Sequence, residues 1–452
     1  MSAGAGSPPS TGPGAGPGAG SGAGSGAVTG AGASTGSGAE PGGRVEPSRV
    51  RWGLVVLAFL AVLLDGFDAA ALAVVVPTLS RQWQVAAAGF TLPLVLTNIG
   101  VVLGYLSSGW LGARWGRRRL LVSGVVLFAV ATCAVAALLE LRSIPLLTAL
   151  RVVTGMGLGA VLPAAVSLST EHSPVRRREL VAVVVTLGLT SGATLGGFFG
   201  GRLLLSVGAD GVFWVAGLLP LVLAAALARW VPRTPAAAPA HAAAARDEAR
   251  LGRLFTPELR TDTTLLWAFA FLVFVAAYTL TSWTPTLLVG YGFSPARAPL
   301  GLAFVSFGGL LGGLALIPLA ARIGIARALV VMPTLGVLCM VVAARADLGD
   351  TGLLLALGGA GAGVVAGQIG QLTMAVSLYS VGARTTGIGW VSALGRAGSI
   401  IGPGIAGILI AFALAGKDIV LLTAIPVVLA AGCALALARR RRRAMREAPA
   451  RS

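Results

Sequence analysis

The sequence predicts an all-α integral membrane protein with twelve transmembrane helices in two pseudo-symmetric six-helix bundles. Three observations carry this. First, 56% of the 452 residues are hydrophobic and only 11% are charged, with a mean hydropathy of +0.87, where a soluble domain carries about 25% charged residues. That excludes an ordinary water-soluble enzyme and a disordered chain. Second, twelve apolar runs follow one another from Trp52 onward, most of them long enough to cross a hydrocarbon core that needs ~20 residues per helix. Third, the two halves echo each other. Arg114-Trp115-Gly116 returns as Arg322-Ile323-Gly324, Arg176 as Arg384, and Ala165-Val166-Ser167-Leu168 as Ala375-Val376-Ser377-Leu378. Repeats of six spans in the same orientation indicate two bundles related by an axis along the membrane normal, with a substrate path between them near the midplane.

Residues 1–50 are a Gly/Ala/Ser/Pro tract without apolar periodicity, expected to be a disordered tail. The tract is no secretory signal, so the first span is expected to serve as the insertion signal. The first bundle is placed at 51–230, with spans near 52–76, 88–110, 119–139, 144–170, 179–206 and 211–230. An Ala-, Pro- and Arg-rich linker loop follows at 231–261. The second bundle, 262–438, has spans near 262–290, 296–320, 326–345, 351–380, 385–415 and 418–438, before a basic tail at 439–452.

The net charge of +18 raises nucleic acid as a partner. The arginines argue against it, because they sit in short clusters between apolar runs. With the N-terminus in the cytoplasm, the cytoplasmic segments hold 26 of the 34 basic residues and the opposite side six, which orients both termini inward. The remaining two, Arg151 and Arg396, fall within spans. The expected location is the cytoplasmic membrane, the expected partners are the lipid bilayer, protons and a small organic anion, and the chain is expected to be a monomer. The three cysteines lie inside apolar runs without metal-ligand spacing. No nucleophile–base, metal or cofactor motif appears, so neither an enzyme nor a cofactor is expected. The glycine strings have no preceding strand and are not phosphate loops.

Chemistry concentrates on a few intramembrane polar groups. Asp65 and Asp68 share one face of the first span. Ionised carboxylates are costly in hydrocarbon, so both are expected to face a cavity or a partner. Mutual repulsion and desolvation raise such groups' affinity for a proton, as a proton-coupling group requires. The alternative is a carboxylate locked to a buried arginine, and Arg151 lies within reach of Asp68. Arg396, near the midplane of the eleventh span, is the candidate for an anionic substrate, because a guanidinium fork suits a carboxylate. Its alternative is an inter-helix ion pair. Asn98, Gln368, Gln371, Tyr278, Ser282 and Trp283 are weaker candidates for the path lining. Glu171 is a candidate gate residue, paired with Arg114 or Arg117. The glycines of the fifth span, Gly192, Gly196 and Gly200, and of the eleventh, Gly398, Gly402, Gly404 and Gly407, read as close helix packing. Pro403 is placed to kink the eleventh span.

Twelve spans in two halves, with Gly109-Trp110-Leu111-Gly112-Ala113-Arg114-Trp115-Gly116-Arg117-Arg118 after the second, resemble the major facilitator superfamily. Asp65-Gly66-Phe67-Asp68, the run from Arg151 to Pro163 with Glu171-His172-Ser173-Pro174, and Arg384-Thr385-Thr386-Gly387 through Arg396 to Pro403 narrow this to something like its aromatic acid:proton symporter family. The resemblance implies the major facilitator fold and proton-driven uptake of benzoate-like acids. It implies roles in transport for Asp65, Asp68, Arg151, Glu171, Arg384 and Arg396. The chain departs from the superfamily loop motif at Ala113, and in the echo at Ala321, where an acid usually helps hold the cytoplasmic gate. Glu171 or other contacts are left to do so, with Arg114, Arg117 and Arg384 as basic partners. A proton-driven exporter of drugs or metabolites, and a membrane sensor that binds without transporting, are the alternatives to an importer.

Overall fold

The computed structural model describes residues 50–231, 254–257, 259–379 and 381–447. The expected tail at 1–50 lies outside the described residues except for Val50, as does most of the linker expected at 231–261. Among the described residues the regular secondary structure is all helical. The helices are α1 (Trp52–Trp83), α2 (Thr91–Trp115), α3 (Arg117–Leu138), α4 (Ile144–Glu171), α5 and α6, α7 (Arg260–Gly290), α8 (Pro299–Ile323), α9 (Ile325–Arg345), α10 (Gly349–Leu378), α11 (Val381–Ala411) and α12 (Gly416–Glu447). Among the described residues, eleven continuous helices are long and apolar enough to cross a membrane. One of them, Arg178–Trp230, is broken at Gly208, where φ is 75° and ψ is −178°. Side chains disfavour that conformation and glycine does not. The arms, 178–207 and 209–230, are α5 and α6, so twelve crossings result. Lipid offers no partner to backbone groups, which is why helices alone carry the chain across.

The repeat in the sequence is a repeat in geometry. Gly116 and Gly324 join α2 to α3 and α8 to α9 at φ 85° and 83°. Each donates its N–H to the carbonyl four residues back, Gly112 and Ala320, and each carbonyl accepts the first bond of the next helix, from Leu120 and Ala328. Helix pairing repeats as well. α1 packs on α5 and α2 on α4, as α7 packs on α11 and α8 on α10. Glycines set these approaches. A methyl on Gly192 would strike the Leu63 carbonyl, and one on Gly402 would strike that of Val275. Large apolar side chains left exposed, such as Leu106, Leu205 and Phe412, are suited to lipid rather than water.

The ends of the molecule differ. The end bearing Arg117 to Arg119 and Arg439 to Arg443 is the arginine-rich face. α12 runs on as helix through these last arginines to Glu447 rather than stopping at 438. The halves meet toward the opposite face. There Leu302 of α8 packs with Ala70, Ala73 and Val74 of α1. Gly197 and Gly201 of α5 lie against Ala303 and Ala296, and Gly404 and Gly407 of α11 lie against Val95 and Thr91. Near the arginine-rich face the buried cluster around Leu54, Leu121, Leu168 and Leu227 is built from first-half residues alone, among those described.

Candidate functional site

The site begins with depth. Asp65 lies thirteen residues into α1 from Trp52 and Arg396 fifteen into α11 from Val381. At ~1.5 Å per residue, both sit roughly 20 Å from the arginine-rich face. They face one cavity of about 180 Å³ between the halves. An apolar cavity of about 150 Å³ already holds a benzene ring. Most of the wall is apolar, with Ala69, Ala70, Leu158, Leu162, Leu189 and Val365 among its residues.

Arg396 is held from two sides. Its Nη1 donates to the Tyr278 hydroxyl at 3.1 Å, and its guanidinium carbon stands 4.5 Å from the Tyr105 ring centroid. Tyr278 in turn stacks on Phe274, with centroids 5.9 Å apart. A cation over an aromatic face is attracted to the ring quadrupole, more so when desolvated. This aims the guanidinium while leaving donors for a ligand. Asp65 lines the same cavity and is in no hydrogen bond or ion pair among the described residues, while its charge is coupled to those of Arg396 and Asp68. Among the described residues, Arg396 is in no ion pair with Asp65 or any other acid, as a packing role would have required.

Asp68 departs from its neighbour. It shares the helix face only loosely, since three residues correspond to ~300° of rotation. It is fully buried and does not line the cavity. Arg151 Nη1 donates to its Oδ2 at 3.0 Å, and the Thr132 hydroxyl donates to its Oδ1 at 2.7 Å. α1, α3 and α4 are thereby tied together. The expectation of an Asp65/Asp68 pair presented jointly to a cavity is corrected. Asp68 takes the alternative reading, that of a carboxylate paired with a buried arginine. Arg151 touches the cavity, but its charge is committed to Asp68, and its Nε donates to Thr97 Oγ1 at 3.4 Å.

Asn98, Tyr278, Ser282 and Gln368 line the cavity. Gln371 does not. It is buried within the second half, with its side-chain oxygen unpartnered among the described residues. Trp283 also turns away, donating its indole N–H to the Pro403 carbonyl at 3.0 Å. Among the lining residues that escaped the sequence reading are Tyr105 and Ser306. Tyr105 carries no charge to mark it, and only its position across from Arg396 reveals it. Ser306 reads as one more small residue in a glycine-rich helix.

At the arginine-rich face Glu171 forms an ion pair with Arg117, both about one-third exposed. Arg114 is not that partner; its guanidinium stands 5.6 Å from the Trp110 ring centroid. The side chain of Arg384 lies outside the described residues, as does that of Ala113. A second tie was not foreseen. Arg440 donates to Asp262 at 2.6 Å and Arg441 to the Ser377 carbonyl at 2.5 Å, joining α12 to α7 and α10.

The profile of the Major Facilitator Superfamily matches residues 58–371. The 4-hydroxybenzoate transporter PcaK of Pseudomonas aeruginosa is 31% identical over 86% of this chain and 92% of its own. The 3-(3-hydroxy-phenyl)propionate transporter of Escherichia coli is 32% identical over 85% of this chain and 93% of its own. Among solved structures, a D-xylose-proton symporter superposes with a TM-score of 0.69 at 16% identity, covering 86% of this chain and 97% of that one. A bacterial homologue of the human lysosomal transporter Spinster, inward-facing and unoccupied, superposes with a TM-score of 0.67 at 19% identity over 87% and 98%. These last two likenesses concern the fold alone.

Proposed function

Because the chain belongs to the Major Facilitator Superfamily, and is therefore a multi-pass membrane transporter rather than an enzyme, we propose that it imports a small aromatic carboxylate together with protons by alternating access. The observation that carries this reading is a free carboxylate and an aimed guanidinium facing one largely apolar cavity between the halves. The relatives that transport 4-hydroxybenzoate and hydroxyphenylpropionate support the substrate class.

The chemistry runs as follows. Arg396 receives the substrate carboxylate through its guanidinium donors. The apolar wall receives the ring. Asp65, desolvated once the cavity is occupied, takes a proton so that two anions do not share the site. Release of the substrate into the cytoplasm restores water to Asp65, and the proton leaves after it. One proton per carboxylate makes the cycle electroneutral. A second adds ~2.3 kcal/mol per 100 mV of membrane potential. Asp68 and Arg151 hold α1 against α4 while this happens. Asn98, Gln368 and Tyr278 supply the polar part of the lining. Glu171 with Arg117, and Arg114 on the same face, form the gate at the arginine-rich face, with Arg384 assigned to it from the sequence. The arginine excess supports a cytoplasmic location for that face and for both termini, with the protein in the cytoplasmic membrane. The chain acts as a monomer.

The test is uptake of labelled 4-hydroxybenzoate into proteoliposomes with an imposed pH gradient, acid outside. Accumulation is expected with the gradient and not without it, and Asp65→Asn abolishes the difference. Binding without flux, or accumulation indifferent to the gradient, overturns the proposal.

A further inference from the structure

The seam between α5 and α8 carries a second recess, toward the face opposite the arginine-rich one. It is a groove of about 480 Å³, lined by Phe198, Phe199, Arg202 and Leu205 of α5 and by Arg297 and Leu300 near the start of α8, among others. These residues turn away from the central cavity. Arg202 follows the cavity-lining Ala193 by nine residues, ~900° of helix rotation and so half a turn out of phase. Leu300 precedes the cavity-lining Leu302 by two, ~200°. The groove therefore opens outward, where lipid lies. In depth, Arg202 is 24 residues along α5 from Arg178, roughly 36 Å, beyond a hydrocarbon core of ~30 Å. Arg297 stands in the turn just before α8, which begins at Pro299. Both cations thus sit at headgroup level.

The groove is positive and its charge is little used. Among the described residues no acid lines it. Arg202 is exposed and is in no hydrogen bond or ion pair among them. Arg297 pairs with Asp350 at 3.1 Å, but both are more than half exposed, a setting in which such pairs contribute little, and further donors remain on its guanidinium. Basic residues are scarce on this face, six of the 34, and the other four, Arg81, Arg142, Arg345 and Lys417, do not line the groove. Beneath the two cations runs an apolar rail. Phe198 meets Phe304 and Phe307 of α8 across the seam, with ring centroids 5.9 and 6.4 Å apart, and Phe198, Phe199 and Phe307 are exposed. Phe198 is one turn nearer the midplane than Arg202, and Phe307 is eight residues into α8 from Pro299, roughly 12 Å.

We infer that this groove binds an anionic phospholipid of the leaflet on that face, with the phosphate between Arg202 and Arg297 and an acyl chain along Phe198, Phe199 and Phe307. Phosphate oxygens match the donor fork of a guanidinium. A rail descending from the cations toward the midplane suits a ligand with a headgroup at one end and a chain at the other. A soluble anion would use the cations and leave the rail idle. The two arginines spring from adjacent backbone, since a methyl on Gly201 would strike the carbonyl of Ala296. Arg202 belongs to the first half and Arg297 to the second, so one bound phosphate ties the halves together on the face where they meet.

The experiment places the full chain in nanodiscs containing phosphatidylglycerol or phosphatidylcholine with a diazirine on one acyl chain, and maps the adducts by peptide mass spectrometry after irradiation. Adducts at 198–199 and 304–307 are expected from phosphatidylglycerol in excess over phosphatidylcholine. A basic residue at an anionic lipid surface is worth roughly a fivefold gain in binding, so Arg202→Gln with Arg297→Gln should reduce that excess by about fivefold or more. Arg81→Gln with Lys417→Gln makes the same charge change on the same face and should leave the excess within about twofold. Arg202→Lys with Arg297→Lys keeps both charges and should keep most of it. Loss of folded protein removes the phosphatidylcholine adducts as well, and the single Arg202→Gln is then read instead, with a reduction of about threefold or more expected. Equal labelling by the two lipids, an excess unmoved by the groove variants, or one lowered as much by the remote pair overturns the proposal. Saturable binding of inorganic phosphate to the delipidated chain, lost in the groove variant, also overturns it and assigns the cations to a soluble anion.

Discussion

Neutralising Asp68 while leaving Arg151 in place is the sharpest perturbation available. The two groups are 0% and 1% exposed, with nitrogen and oxygen 3.0 Å apart. At an effective dielectric of ~20, the attraction at that distance is about 5 kcal/mol. Desolvating both charges offsets much of it, so the intact pair contributes little net stability. Asp68→Asn removes the attraction and leaves the guanidinium buried without a counter-charge, a change that costs about 3–5 kcal/mol. Asp68→Asn with Arg151→Gln removes both charges and should recover more than about 2 kcal/mol of that loss, since residues in contact are not additive. Denaturation of the purified protein, followed by intrinsic tryptophan fluorescence, reads both numbers. A single variant within about 1 kcal/mol of the unaltered chain, or a double variant equal to the sum of the singles, would refute the view that this pair is an isolated buried tie.

Four further outcomes follow from the geometry. Arg396→Lys keeps the charge but loses the planar fork, and KM for a carboxylate substrate should rise about tenfold or more in an uptake assay. Tyr105→Ala removes the aromatic face beneath Arg396 together with the hydroxyl that contacts its guanidinium, and should weaken substrate binding by about 2- to 30-fold, corresponding to about 0.5–2 kcal/mol, whereas Tyr105→Phe keeps the ring and should lose less. Gly192→Val drives a methyl into the Leu63 backbone, and should lower stability by about 3 kcal/mol or more, because the obstacle cannot rotate away. Glu171→Gln breaks an ion pair that is one-third exposed, and its stability cost should stay below about 1 kcal/mol and shrink with added salt.

The sequence carried the architecture and the chemistry, and tertiary structure distributed the roles. Apolar length, the arginine asymmetry and the echo of Gly116 in Gly324 are local properties of the chain, and lipid leaves such a chain no spanning structure but helices. Hence twelve apolar runs were legible, with the fifth ending at 206 and the sixth starting at 211, although the glycine that breaks the helix between them, Gly208, was not singled out and the last helix outran its expected end. The intramembrane charges were legible for the same reason, because each is expensive wherever it lands. What a sequence does not contain is the rotation of one helix against another. Asp65 and Asp68 are three residues apart, yet one opens on the cavity and the other is sealed between Arg151 and Thr132. Gln368 and Gln371 divide in the same way. Tyr105 and Ser306 are chemically ordinary along the chain, and only the packing of α2 against α11 and of α8 against α5 makes one a support for Arg396 and leaves the other unpaired. Burial and pairing are decided by neighbours distant in sequence, and that information exists only once the helices have packed.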